Sequence, residues 1–307
     1  MKQVLISGGT GLIGTALTAM LKEKGYKVVI LTRKARPDKD GVSYSEWNVE
    51  QKRIDDEVVA NSNFIINLAG ENVAEKRWTK ERKQQIIDSR SDAAMLLADA
   101  IKKNPDKIEA IVSASAIGFY GPDPKVTNTN PFTEEMPHHM SFLGSTTDIW
   151  ERSIELVERV NKRLVILRTG IVLSTKGGAF LEFLKPMKFG IAPIMGSGKQ
   201  VISWIHIDDI CRMYIYAMEN ESMHGKYNAV APYIVTNKKL VLEMAKQYRG
   251  RFFIPIHIPE SVLKTMLGEM SIEVLKSTSV SADKIRKAGF QFLFPTISAA
   301  VQDLLKK

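Results

Sequence analysis

The sequence predicts an α/β fold built on a doubly wound parallel sheet. The chain opens with an apolar run and a glycine-rich turn, and an amphipathic segment follows at once. Apolar runs of strand length then alternate with helical patterns up to about residue 170. This alternation requires crossovers between parallel strands. We therefore expect a Rossmann-type doubly wound parallel sheet with a smaller C-terminal cap domain.

The first strand and its turn predict a dinucleotide site. Residues 4–6 (Val-Leu-Ile) are followed by Gly8, Gly11 and Gly14. Between a strand and a helix, such glycines allow a tight turn, close approach to a pyrophosphate and close helix packing, in that order. The helix N-terminus adds free N–H groups and a positive dipole end. The predicted contacts here are Gly8, Thr10, Gly11, Leu12, Ile13 and Gly14.

The end of the second strand predicts which cofactor binds. Proteins that bind NAD usually carry an acid near this point to bond the ribose hydroxyls. This chain instead has Thr32-Arg33-Lys34 after the apolar run that starts at residue 27. A guanidinium suits a 2′-phosphate and can stack on adenine. Thr32 and Arg33 are therefore predicted contacts, with NADP(H) preferred over NAD(H). The alternative is that Arg33 and Lys34 are solvated loop charges.

Composition limits the class of protein and its partners. The net charge of +9 could indicate nucleic acid, but basic residues alternate with acids, as in 76–83, and a solvated helix face explains that stretch better. The single cysteine, Cys211, lies in an apolar helical pattern and is predicted to be a buried filler. We find no signal peptide and no apolar run of membrane-spanning length, so we expect a cytoplasmic location. A small-molecule substrate is expected, without a nucleic-acid or membrane partner, and a homodimer is a possible assembly.

The remaining elements follow from apolar periodicity. We predict further strands at 27–32, 43–47, 63–68, 108–115, 163–168, 201–205 and 225–230. We predict further helices at 54–60, 79–103, 141–160, 177–188 and 206–219. Residues 121–139 indicate a surface loop, 190–198 a Gly/Pro-rich hairpin region, and the part after 230 is expected to be helical.

Four motifs resemble the extended short-chain dehydrogenase/reductase superfamily: 8–14, 67–70 (Asn-Leu-Ala-Gly), 113–121 (with Ser115 and Tyr120) and 204–209. Nearly the whole chain resembles an atypical branch of it, the nucleoside-diphosphate-sugar epimerase-like "epimerase family" with a C-terminal extension. The residues that carry this closer resemblance lie at 68–72, 76–78, 89–90, 167–173 and 289–295. The resemblance implies a cofactor domain at 1–170 plus about 204–230, and a cap at 171–203 and 231–307. It also implies cofactor contacts at Leu68, Ala69, Gly70, Ser89, Thr169 and Gly170.

The catalytic residues implied by the superfamily are a Ser, a Tyr and a Lys four residues after that Tyr. Ser115 matches the Ser. The region expected to hold the other two, 138–151, contains neither Tyr nor Lys, and Phe142 and Thr146 stand at those positions. A phenyl ring cannot transfer a proton, and a Thr hydroxyl carries no charge.

Two residues are candidates to substitute for the missing pair. Tyr120 could face the nicotinamide, or it could be a packing aromatic. Glu71 could approach the substrate or cofactor, or it could cap a helix. Arg77 and Trp78 could line the cleft or pack at a helix start. Structural roles are favoured for His206 and Asp208, whereas His138 and His139 lie in a polar loop and are expected to be solvated. No cluster has metal-ligand spacing.

Two functions from different classes remain open. The first is an NADP(H)-dependent oxidoreductase or epimerase-like enzyme acting on a small polar or sugar-like substrate. The second is a non-catalytic, NADPH-sensing regulatory protein, which the missing Tyr/Lys pair favours. A nucleic-acid-binding protein ranks last because it rests on charge alone.

Overall fold

The computed structural model describes residues 1–124 and 130–306. Part of the predicted surface loop, residues 125–129, lies outside the described residues. The strands are Gln3–Ser7 (β1), Lys27–Thr32 (β2), Val42–Glu46 (β3), Phe64–Asn67 (β4), Ala110–Ala116 (β5), Arg163–Thr169 (β6), Ile171–Leu173 (β7), Ile191–Met195 (β8), Val201–Ile202 (β9), Trp204–His206 (β10), Gly225–Ala229 (β11), Val235–Thr236 (β12) and Ile254–Ile258 (β13).

Helices connect these strands. They are Leu12–Glu23 (α1), Asp56–Ala60 (α2), Lys80–Lys103 (α3), Phe142–Glu155 (α4), Ala179–Met187 (α5), Ile207–Glu219 (α6), Asn237–Arg249 (α7), Glu260–Leu267 (α8), Ser271–Leu275 (α9), Asp283–Lys287 (α10) and Ile297–Lys306 (α11). Short 3₁₀ segments follow β5, α4 and α8, at Ile117–Tyr120, Leu156–Val160 and Gly268–Met270. None of the helices described is long and apolar enough to cross a bilayer.

A seven-stranded parallel sheet organises the chain, in the order β11-β6-β5-β4-β1-β2-β3. The strand order reverses between β1 and β4, and dinucleotides bind at such a switch point, beyond the carboxyl ends of the strands. The central strands are buried on both faces, which explains why they read as continuous apolar runs. The predicted α/β class and Rossmann-type sheet are therefore confirmed.

Helices cover both faces of the sheet. On one face Leu5, Ile65 and Ile111 pack with residues of α3 and α4. On the other face the neighbouring positions pack with α1, α6 and the cap. Cys211 of α6 is fully buried there, as the sequence predicted.

Among the described residues, three two-stranded pairs lie outside the main sheet, and the sequence did not predict these pairings. The expected hairpin at 190–198 is wrong: β8 is a single strand and pairs in parallel with β13. The expected strand at 201–205 is two strands, since β9 pairs with β12 and β10 pairs with β7. The part after residue 230 is therefore not wholly helical. In these short pairs the partner lies far along the chain, and local periodicity carries no sign of it.

Candidate functional site

The glycine turn between β1 and α1 has the geometry of a phosphate cradle. Gly8 has φ +71°, and a Cβ there would lie 2.5 Å from the Leu68 carbonyl oxygen. A Cβ on Gly14 would lie 2.5 Å from the Gly8 carbonyl oxygen. Gly11 is exposed and is the N-cap of α1 without a side-chain hydrogen bond. The first N–H groups of α1 are thus left for an anion, so the residues present fit a dinucleotide pyrophosphate.

The loops after β2 and β4 meet beside this turn. Arg33 is 86% exposed, and its Nη1 lies 3.7 Å from Glu71 Oε1. The Glu71 backbone N–H donates to Ser89 Oγ at 3.0 Å. The hydroxyl of Thr32 donates to the Lys34 carbonyl at 2.8 Å, which fixes the bend that carries Arg33. The fold thus brings Thr32, Arg33, Glu71 and Ser89 to one edge of the site.

Two arginines of α3 support the loop after β4. Arg82 is buried and donates to Glu71 Oε2 at 3.1 Å and to the Asn72 carbonyl at 2.8 Å. Arg90 donates to the Glu71 carbonyl at 2.9 Å, and burial lowers its pKa to about 10. Thr79 caps α3, so the reading of Glu71 as a helix cap is wrong. The Glu71 carboxylate instead lies between the guanidinium groups of Arg33 and Arg82.

The loop after β4 passes close to its neighbours, and the end of β6 is tightly packed. A Cβ on Gly70 would lie 3.1 Å from Arg90 Cζ, and Ala69 is buried beneath. Thr169 is opposite Ala116 in the register of β5 and β6. A Cβ on Gly170 would lie 2.7 Å from the Ser203 carbonyl oxygen. Leu68 to Gly70 therefore lie at the same sheet edge as Thr169 and Gly170, and their cofactor contacts stay predictions.

Ser115 belongs to a buried ion-pair network at the end of β5. Its hydroxyl donates to Glu151 Oε1 at 2.5 Å. Arg168 donates to both oxygens of the same carboxylate, with Nε and Nη2 at 2.8 Å from Oε1 and Oε2. Burial alone would lower the pKa of Arg168, but the hydrogen bonds and charge of Glu151 outweigh it and raise that pKa. The catalytic role of Ser115 stays a prediction, and its hydroxyl is engaged inside the protein.

Tyr120 joins the same network from the 3₁₀ turn after β5. Its hydroxyl donates to Asn228 Oδ1 at 2.6 Å and accepts from Arg168 Nη1 at 2.8 Å. Its ring stacks on Phe132 at 5.2 Å. Burial raises the pKa of Tyr120 to about 12, with the charge of Arg168 opposing the shift. General acid–base catalysis favours a pKa near the operating pH, so this environment favours packing over proton transfer.

Phe142 and Thr146 occupy the first turns of α4, where the resemblance places the Tyr and Lys. The Thr146 hydroxyl donates to the Phe142 carbonyl at 2.7 Å and is buried. The ring of Phe142 meets Trp78 edge-on at 4.9 Å, and Lys83 Nζ lies 5.2 Å from its centroid. An aromatic pair therefore lies where the resemblance places the proton donor.

The segment that carries Trp78 also joins the two parts of the chain. Arg77 donates to the carbonyls of Thr265 and Met266, at the C-terminal end of α8. Lys83 Nζ lies 2.6 Å from Glu269 Oε1. A cation at a helix C-terminus is favourable because the carbonyls there are unpaired. Arg77 was expected either to line the cleft or to pack at a helix start. It instead hydrogen-bonds the C-terminal end of α8.

His206 has a structural role at the start of α6. His206 is the N-cap of α6, and its Nδ1 accepts from the Asp208 backbone N–H at 3.0 Å. Its Nε2 lies 3.4 Å from Asp303 Oδ2. Ligand atoms of His206, Asp208 and Asp303 all lie within 4.8 Å of one another, a spacing that the sequence did not reveal. His206 thus caps a helix through one ring nitrogen and has a carboxylate beside the other, so we assign no metal to it.

The chain matches known protein families along most of its length. The sequence model of the NAD dependent epimerase/dehydratase family matches residues 4–230, and a domain of unknown function matches residues 258–304. The chain belongs to the NAD dependent epimerase/dehydratase family. It is 33% identical over 308 residues to an epimerase family protein of Staphylococcus aureus (strain NCTC 8325), covering 100% of both.

Similar solved structures include a human protein and a bacterial protein. The human epimerase family protein SDR39U1 (isoform 2), solved with NADPH, has a TM-score of 0.85 and 30% identity, with 99% of each chain covered. The nucleoside-diphosphate sugar epimerase from Corynebacterium glutamicum has a TM-score of 0.78 and 28% identity, over 99% of this chain and 58% of that one. The resemblance to an atypical branch of the superfamily is therefore confirmed, and the family binds a nicotinamide cofactor.

Sequence reasoning gave no structural role to four charged residues of the site: Arg82, Glu151 and Arg168, which are buried, and Arg90, which is half-buried. Arg168 was visible as a charge directly after four apolar residues, 164–167, of the same predicted strand. A charge in such a position requires a buried partner, and that rule would have pointed to an acid on a facing helix. Arg82 and Arg90 carried no such signal, because cations are ordinary in a long surface helix.

Proposed function

We propose that this chain is an NADP(H)-dependent oxidoreductase or epimerase-like enzyme that acts on a small polar or sugar-like substrate. Arg33 carries the proposal, because an exposed guanidinium stands at the end of β2, next to the glycine turn. The structure of the human relative with NADPH supports it. A bound nicotinamide would supply hydride transfer. The chain's own residues would hold the pyrophosphate at α1 and the 2′-phosphate at Arg33.

Binding of the phosphate at Arg33 would compete with Glu71. The present distance of 3.7 Å between the two side chains is that of a loose, exposed pair, which contributes little. A phosphate offers a stronger, charge-assisted partner. Arg82 keeps Glu71 paired when Arg33 turns away, since Nη1 already lies 3.1 Å from Oε2. The site can therefore change partners without leaving a carboxylate unpaired.

Substitution of Arg33 tests the cofactor preference. We expect Arg33→Ala to weaken NADPH binding by about ten- to a hundredfold, the usual range for a lost charge-assisted hydrogen bond. NADH lacks the 2′-phosphate, so its affinity is expected to stay within about threefold. Fluorescence titration of the purified protein with both nucleotides measures this. Lys39→Ala, an exposed cation beyond the same strand, is the matched control. Equal losses for the two nucleotides would refute the assignment.

A second candidate is a non-catalytic protein that senses NADPH. Three observations favour it: the phenyl ring of Phe142, the engaged hydroxyl of Ser115 and the raised pKa of Tyr120. A panel of aldehydes, ketones and sugar nucleotides separates the two. Loss of NADPH absorbance reports reduction of a carbonyl, and chromatography of the sugar nucleotides reports epimerisation, which leaves the cofactor unchanged overall. Oxidation of bound NADPH by any member supports the enzyme. Tight binding with no turnover across the panel favours the sensor.

A further inference from the structure

Two neighbouring loops of the cap each expose a phenylalanine. Phe189 lies between α5 and β8, Phe252 lies between α7 and β13, and each is 84% exposed. The loops adjoin, because the Ile254 backbone N–H donates to the Gly190 carbonyl at 2.8 Å. A Cβ on Gly190 would lie 3.7 Å from the Phe252 carbonyl oxygen. Two large apolar side chains therefore project from one place on the surface.

The apolar surface continues along β13. Ile254 and Ile256 are 67% and 43% exposed. They lie on one side of the strand, because side chains two residues apart share a side. We call Phe189, Phe252, Ile254 and Ile256 the cap patch. Contiguous exposed apolar side chains of this kind mark interaction surfaces rather than ordinary scatter.

The surroundings of the cap patch are basic. Residues 183–207 and 244–259 contain no Asp or Glu. The Lys and Arg residues in these two stretches are Lys185, Lys188, Lys199, Lys246, Arg249 and Arg251. Arg249 lies at the junction itself, since its Nη2 would be 3.9 Å from a Cβ on Gly190. Lys185 already pairs with Glu182, whereas Lys188 and Arg251 are exposed next to the two phenylalanines.

This combination of charge and shape selects the occupant. A second copy of the chain would place the same cations opposite one another in a two-fold interface, and like charges oppose that. A bilayer needs no complementary pocket: it accepts projecting aromatic side chains at the headgroup level while Lys and Arg face anionic lipid. We propose that the cap patch docks on a membrane surface that contains anionic phospholipids. Such a protein lies on the bilayer surface, so the finding that no described helix can span a membrane does not oppose it. The proposal departs from the sequence-based expectation of no membrane partner.

Vesicle sedimentation with the full chain tests the proposal. Vesicles of phosphatidylcholine alone are compared with vesicles in which a third of the lipid is phosphatidylglycerol. We expect binding only to the anionic vesicles, and release as salt rises. Arg249→Gln with Arg251→Gln should weaken binding about 25-fold, since each cation near an anionic surface contributes about fivefold. Phe189→Ser with Phe252→Ser should weaken it by at least about tenfold through lost apolar burial.

Matched control variants show whether vesicle binding depends on the cap patch or only on the net charge of the protein. Lys102→Gln with Lys103→Gln removes two exposed cations of α3, and Leu293→Ser removes another exposed apolar side chain. Both should bind anionic vesicles as the wild type does. Circular dichroism checks that every variant is folded, so the result does not depend on the cofactor proposal. Equal losses in the patch and control variants, no binding by the wild type, or equal binding to neutral vesicles would overturn the proposal. A dimer abolished by the phenylalanine variants, without vesicle binding, would assign the patch to a second copy instead.

Discussion

At the scale of single residues, the buried ion pair of Arg168 and Glu151 explains why the hydroxyls of Ser115 and Tyr120, the two considered as catalytic groups, are engaged inside the protein. The pair lies in the sheet–α4 interface, and both side chains are 1% exposed. Two charges in that environment are tolerated only when their hydrogen bonds are satisfied. The hydroxyls of Ser115 and Tyr120 and the Glu134 carbonyl supply further hydrogen bonds to the pair. These hydroxyls thus stabilise a charge pair, which explains why they are buried.

Removing the charge of Glu151 should therefore destabilise the fold. Glu151→Gln leaves Arg168 as a buried cation without its counter-ion, and we expect the free energy of unfolding to fall by about 3–5 kcal/mol. Urea denaturation followed by circular dichroism measures it. Glu260→Gln is the control, since its pair with Lys264 is 3.7 Å long and exposed, and its loss should cost less than about 1 kcal/mol. If Glu151→Gln cost no more stability than Glu260→Gln, Arg168 must find another partner in the variant.

At the scale of elements, Gly14 links the phosphate turn to the packing of α1. Alanine normally stabilises a helix relative to glycine by about 1 kcal/mol. Here its methyl group would lie 2.5 Å from the Gly8 carbonyl oxygen and 2.6 Å from Gly9 Cα. Because backbone atoms cannot move aside cheaply, the clash outweighs the helix preference.

We therefore expect Gly14→Ala to lower the free energy of unfolding by about 1–3 kcal/mol, as overpacking does. NADPH affinity should fall with it, because the turn must shift. Gly177→Ala is a suitable control, since its Cβ would meet only Leu12 Cδ1 at an ordinary 3.5 Å. Thermal unfolding and nucleotide titration measure the two effects. A Gly14→Ala protein as stable as the wild type would show that the turn has more room for a methyl group than these distances indicate.

The sequence predicted the elements whose burial is visible in the local pattern of apolar residues. Strands β1, β2, β4 and β6 are buried in the sheet, and continuous apolar runs reveal them. Strand β13 shows the opposite case: its first four residues are exposed, and Pro255 argues against a strand. It exists because β8 lies beside it, a contact across more than 60 residues that no local window contains.

At the scale of the whole molecule, long-range polar contacts hold the cap to the sheet domain. Asp209 of α6 is fully buried and accepts from the backbone N–H groups of Leu293 and Phe294 at 2.8 and 2.9 Å. Arg77 hydrogen-bonds the carbonyls at the end of α8. The sequence indicated these segments only as motifs of the family. Their partners could not be derived, because each contact joins positions far apart in the chain.

Cys211 offers a probe of the whole fold. Its Sγ lies 3.8 Å from the Ile13 carbonyl oxygen of α1, and burial raises the pKa of the thiol. Reaction with a disulfide reagent thus requires α1 and α6 to separate, which also opens the glycine turn. NADPH at about 100 times its dissociation constant should therefore slow labelling by about a hundredfold, because it binds only the closed form. Arg33→Ala, at the same NADPH concentration, should lose most of this protection. Fast labelling of the native protein, or labelling indifferent to bound NADPH, would mean that α6 opens without disturbing the cofactor site.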